Sequence, residues 1–152
     1  MKLYLNVPVL LVSIFALASC EFLKSSEQKA EIKKYEEARD LWESKNTSGS
    51  YQFKVTKLCY CGVTGEVEVF VSNNEITQVI SVESGEMAAL DFYSTIVGEF
   101  DWIETKLNRD PYPDKLEVEY NSEFGFPVSM EYDGSKNSSD DEYTLEIRDV
   151  SF

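Results

Sequence analysis

The chain has 152 residues, 43% of them hydrophobic and 13% aromatic, enough for one core that buries roughly two-thirds of its surface but not for a second domain. Its 28 acidic residues against 14 basic ones give a formal net charge of −14, which excludes nucleic acid and anionic headgroups as natural partners, because both would meet like charge. There is no histidine, so the commonest general base, the commonest metal ligand and every nucleophile-histidine arrangement are missing.

Lys2 is followed by an uncharged run from Leu3 to Ser19, densest in apolar residues between Val7 and Leu17. A charged start, a short apolar core and small residues at its end make a secretory signal peptide over residues 1–19. The run falls short of the roughly 20 residues a spanning helix needs. Leu17, Ala18, Ser19 and Cys20 resemble the lipobox of bacterial lipoproteins at all four positions. That resemblance implies acylation of the Cys20 thiol, cleavage before it and a further acyl chain on the new amino terminus. Stable membrane anchoring takes at least two membrane signals, and several acyl chains meet that need. Cleavage would remove one base and no acid, leaving 13 bases minus 28 acids, a net charge of about −15. Residues 20–29 then read as a polar, lipid-anchored tether, and residues 30–152 as a single domain. The expected location is the exported side of a bacterial cell envelope, with the membrane engaged through lipid alone.

Within the domain, Ile32, Tyr35, Ala38 and Trp42 recur at helical spacing and predict an amphipathic helix over residues 30–45. Tyr51, Phe53 and Val55 alternate as a half-buried strand, but Leu58 and Tyr60 stand in the opposite phase, which predicts a bulge near Thr56 and Lys57. Val67, Val69 and Val71 form a second strand, the Asn73-Asn74 pair suits a tight hairpin, and Ile76, Ile80 and Val82 carry a third. Beyond a less regular stretch, Ile96, Phe100, Ile103 and Leu107 predict a helix over residues 94–107, capped by Ser94 or Thr95. Three more strands follow: Leu116, Val118 and Tyr120; Val128, Met130 and Tyr132; then Tyr143, Leu145 and Ile147, with Val150 and Phe152 after a phase slip. Short polar turns make neighbouring strands antiparallel. The fold expected is α+β: an antiparallel sheet of about six strands with both helices on one face, in a repeated αβββ-αβββ order.

These landmarks resemble a family of uncharacterised bacterial lipoproteins, DUF6174. The likeness rests on Trp42 ahead of Tyr51-x-Phe53, the Cys59-x-Cys61 pair, Thr95-Ile96 through Phe100, and Gly125-Phe126-Pro127 before a strand. The family has Gly-Tyr-Pro at the last motif, so Phe126 departs from it by one hydroxyl. The resemblance covers roughly residues 38–152 and implies no activity.

Cys59 and Cys61 are the sharpest chemical feature. An exported protein favours disulfides, yet full extension would hold the two Cα atoms about 6.6 to 7.2 Å apart, at the limit of disulfide geometry. A local disulfide therefore needs a bend, and a free redox pair or a soft-metal site are the alternatives. Two thiolates alone do not complete a zinc or copper sphere. Asp133, Asn137, Asp140, Asp141 and Glu142 make an acidic loop without calcium-loop spacing, read as solvated. Gly125-Phe126-Pro127 ends a turn and starts a strand, with Pro127 on a strand edge. Trp42, Tyr60, Tyr112 and Phe124 are the aromatic residues expected on the surface. No catalytic, cofactor-binding or metal-binding residue is assigned. The leading expectation is a non-enzymatic, lipid-anchored envelope protein that binds another envelope protein; the alternative is a thiol or soft-metal handling protein using Cys59 and Cys61. A carboxylate-based hydrolase would need two carboxylates converging in a pocket.

Overall fold

The computed structural model describes residues 25–59, 62–138 and 140–152. The expected signal peptide over residues 1–19, Cys20, Tyr60 and Cys61 therefore lie outside the described residues.

The first helix, α1, spans Ser26–Lys45 and begins four residues earlier than the apolar stripe suggested. Ser25 is its cap, accepting a hydrogen bond from Gln28 N at 3.0 Å. Residues 26–29 carry no large apolar side chain, which is why the periodicity hid this turn. It is anchored all the same, because the buried Gln28 Nε2 donates to Leu107 O at 2.8 Å. A three-stranded meander follows: β1 (Tyr51–Cys59), β2 (Gly62–Ser72) and β3 (Glu75–Ser81). Asn73 and Asn74 both take positive φ at its hairpin, 53° and 63°, as the tight turn requires. A short 3-10 turn, Leu90–Phe92, precedes the second helix, α2 (Ile96–Leu107). Thr95 caps α2 by accepting from Gly98 N at 3.1 Å. The second meander is β4 (Lys115–Tyr120), β5 (Pro127–Asp133) and β6 (Glu142–Ser151).

All six strands form one antiparallel sheet in the order β3-β2-β1-β6-β5-β4. The element order repeats as expected, but the sheet order does not. The first meander starts at the centre and works outwards, whereas the second starts at the far edge and works inwards, so β6 seals against β1. The chain crosses from one sheet edge to the other through α2.

Both helices cover the same face. Trp42 of α1 packs on Tyr51, with ring centroids 5.0 Å apart, and Glu99 of α2 pairs with Lys57; Tyr51 and Lys57 are inward positions of the same strand. The helices run antiparallel, because Gln28 meets Leu107 at one end while Arg39 pairs with Asp101 further along. Beneath them the inward residues of the strands, among them Phe53, Val69, Met130, Leu145 and Ile147, are almost fully buried.

The irregularity near Thr56 exists, but its extra residue lies on β2. Val55 pairs with Val67 and Lys57 with Thr64, so three residues of β2 span what two residues of β1 do. The alternation of β1 thus never flips: Lys57 points inward and Leu58 outward, the latter 49% exposed. The expected phase slip in the last strand is borne out as a bulge at Asp149, whose φ is 54° and around which the register with β1 shifts.

Candidate functional site

The end of β1 carries an arrangement that periodicity alone did not reveal. Lys57 Nζ lies 2.6 Å from Glu99 Oε1, and Tyr143 OH donates to Glu99 Oε2 at 3.4 Å. The Lys57 ammonium also stands 5.8 Å from the centroid of the Tyr143 ring. Burial, followed by the neighbouring Glu99 charge, pushes the Tyr143 hydroxyl well above the usual phenol range. Cys59 is half-buried two residues beyond Lys57 and pairs with Tyr143 across the β1–β6 ladder; its proposed partner, Cys61, lies outside the described residues. A signal for the ion pair was present in the sequence. Lys57 continues the 51-53-55 phase of a strand and Glu99 shares the stripe of Ile96 and Ile103, so two opposite charges occupy core positions of two elements.

Of the aromatic residues expected on the surface, one lies wholly inside, two are partly covered, and Tyr60 is outside the described residues. Trp42 is fully buried, and Tyr112 and Phe124 are half-buried. Trp42 is enclosed edge-on by Tyr51 and Phe126 and capped by Phe152. Gly125 explains how α1 comes so close. Its φ is 85°, and a Cβ there would stand 2.2 Å from Ala38 O and 2.8 Å from Trp42 N, so only glycine leaves room for the helix backbone. Pro127 is buried rather than on an edge: β5 lies between β4 and β6, and proline is accommodated as its first residue. Tyr51 OH in turn accepts from Ile96 N at 3.1 Å. Trp42, Tyr51, Phe53, Ile96, Gly125 and Phe126 therefore meet in one cluster that fixes both helices on the sheet.

Those are the residues that carried the likeness drawn from the sequence, and the model of a family of unknown function, DUF6174, matches residues 34–152. The chain belongs to this family. No curated protein and no solved structure matches it. In this DUF6174 protein, most of the shared motifs act in packing, leaving Cys59-x-Cys61 as the motif without a packing explanation.

A groove of about 600 Å³ lies between the helices, lined by Ile32, Tyr35 and Leu107 together with Lys29, Lys33 and Glu104. Of its charged groups, Lys33 pairs with Glu37 at 3.6 Å and Glu104 with Arg39 at 3.2 Å. Arg39 clasps the two helices through Glu104 and Asp101 at 3.2 and 3.0 Å and donates to Tyr35 OH at 2.5 Å. In the acidic loop, Asp133 Oδ1 accepts from Ser135 N at 3.0 Å, and among the described residues no group of His, Cys, Asp and Glu side chains is placed to hold a metal ion. Among the described residues, too, no helix is long and apolar enough to cross a membrane.

Among the described residues, no helix lies over the far face of the sheet. Glu66, Glu68, Glu117, Glu119, Glu131 and Glu146 alternate outward there with Lys54, Lys115 and Arg148. These three cations are held in exposed pairs, such as Lys54 with Asp149 at 2.9 Å.

Proposed function

We propose that this chain is a lipid-anchored, non-enzymatic protein of the bacterial envelope that works by binding another protein. The observation that supports this most is the lopsided sheet: both described helices pack on one face, and the outward residues of the other face are predominantly acidic. Both helices are committed to the core, and the buried Lys57–Glu99 pair is closed over by Tyr143, so what the domain offers a partner is surface. With α1 beginning at Ser26, the link from a lipidated Cys20 is residues 21–25, whose extended reach is at most about 18 Å. Such a link holds the α1 start, with the Leu107 end of α2 beside it, near the bilayer and turns the rest of the domain to the envelope space.

Fatty-acid labelling and membrane fractionation test the anchor. Wild-type protein takes label and pellets with membranes; Cys20→Ala does neither. Labelled, membrane-bound Cys20→Ala protein would overturn the anchor. The binding role is tested by crosslinking in native membranes, where one envelope protein should be captured reproducibly, and a folded protein that captures nothing would overturn it. A local disulfide between Cys59 and Cys61 belongs to the same reading, as a lock on the turn that joins β1 to β2.

A further inference from the structure

The connection from β3 to α2 was the least regular stretch of the sequence, and it carries an unexplained display of apolar side chains. Of the large apolar residues exposed among the described residues, Val82, Met87, Leu90 and Phe92 all fall in this crossover, with Met87 71% and Phe92 63% exposed. The 3-10 turn Leu90–Phe92 buries none of its own residues. A loop that only joined two elements would leave polar residues outward. The backbone is nevertheless well tied down. Met87 bridges to Ile80, Ser81 N donates to Glu86 O, and Ala88 N donates to Val79 O, each of the two bonds at 2.9 Å. Ala88 and Tyr93 turn inward onto the core. The segment thus makes one antiparallel bridge beside the edge strand β3, with Val82, Met87, Leu90 and Phe92 exposed along it, and a backbone already held in place spares a partner part of the cost of ordering it.

Charge identifies the occupant. No Lys or Arg stands between Lys57 and Lys106, so this whole flank of the domain, β2, β3 and the crossover, contributes only acids. Glu83, Glu86 and Asp91 sit exposed among the apolar side chains, and Glu75 is exposed on the same edge strand. Among the described residues none of these four enters an ion pair. A second copy of this chain would bring like charge to the contact, and so would a bilayer rich in anionic lipid. Apolar contact surrounded by uncompensated acid is complementary to a segment that is both apolar and cationic.

We infer that the Val82–Phe92 crossover, with the edge of β3, is the docking surface for a cationic, apolar segment of a different envelope protein. This rests on the binding role proposed above and names the surface and partner chemistry within it. The test uses the full-length lipoprotein in its own envelope with a photoactivatable phenylalanine analogue at position 92, and a parallel protein labelled at Glu68 on the open face. The label at position 92 should attach to a segment of another protein with net positive charge and apolar residues. Glu83→Lys, Glu86→Lys and Asp91→Lys combined should lower that yield at least tenfold without changing the unfolding midpoint. Attachment to lipid, to a second copy or to a segment lacking net positive charge would overturn the inference, as would a yield unchanged by the charge reversal. Capture from Glu68 alone would overturn it while sparing the binding role; capture from neither position would overturn both.

Discussion

Lys57 and Glu99 form an ion pair in the core, their side chains only 10% and 3% exposed, and the contact joins a central strand to the helix lying across it. Such pairs add little net stability, since desolvation offsets the attraction, but stranding one partner is costly. They do define which strand position lies under which helical turn.

Glu99→Gln, which leaves Lys57 buried without its counter-charge, should destabilise the domain by about 3–5 kcal/mol. The double variant Lys57→Met/Glu99→Leu should recover most of that loss. Urea unfolding of Lys57→Met, Glu99→Leu and the double variant measures the coupling; strictly additive losses would show that the pair does not act as a unit.

At the other end of the core, Gly125→Ala should be among the most damaging small substitutions. The added methyl meets Ala38 O at 2.2 Å in a residue with φ of 85°, so helix α1 must lift from the sheet. Left-handed strain alone costs roughly 1–2 kcal/mol, and loosening Trp42 should bring the total to about 3 kcal/mol or more. A fall in the urea midpoint of Gly125→Ala close to that of Trp42→Ala is expected; a near-neutral result would refute the close approach.

Alkaline pH should unfold the protein through its buried phenols. Burial raises Tyr143, Tyr120 and Tyr51 above the ordinary value of 10.0, with the Glu99 charge adding to the effect on Tyr143. Each of these groups holds its proton more tightly folded than unfolded. The stability they contribute is therefore complete below pH 10 and is lost as pH rises above it, where the unfolded chain ionises first. Phenolate absorbance should show these tyrosines titrating only as the domain unfolds. Tyr143→Phe should flatten the fall in stability above pH 10, and an unchanged slope would remove Tyr143 from this account.

For the cysteine pair the expected state is one intrachain disulfide, with a mass two lower than the dithiol and no stoichiometric metal. So small a loop constrains the unfolded chain little, which puts its contribution at the low end of the roughly 0–5 kcal/mol range. Mild reductant should open it without unfolding the domain, leaving the far-ultraviolet dichroism unchanged. Two free thiols with bound copper or zinc, in protein isolated from its native cells, would replace this reading with metal handling.

Much of the architecture was legible because each strand and helix carries its own period. Ile96-Phe100-Ile103-Leu107 marks a helix almost to the residue, whereas Val67-Val69-Val71 marks only the later part of β2, which begins at Gly62 where a turn over residues 62–65 is expected from the sequence. What stayed hidden were features set by two elements at once. Leu58 and Tyr60 looked like a new inward phase of β1, but the bulge opposite, on β2, keeps Lys57 inward because Glu99 is there to receive it. Trp42 and Pro127 were read one motif at a time, and only their convergence at Gly125 shows why both are buried. The crossover display of Met87 and Phe92 has no period, so nothing in the local pattern marked it.

The order β3-β2-β1-β6-β5-β4 sets a constraint on when folding can finish. The two middle strands come from opposite ends of the domain: Lys54 is matched to Arg148 and Gln52 to Ser151. The first meander can zip up by itself, yet one flank of β1 stays unsatisfied until the last ten residues arrive. Closing so long a loop is entropically slow. A chain emerging from its amino terminus is thus kept from locking shut until β6 is out, and β6 acts as the bolt.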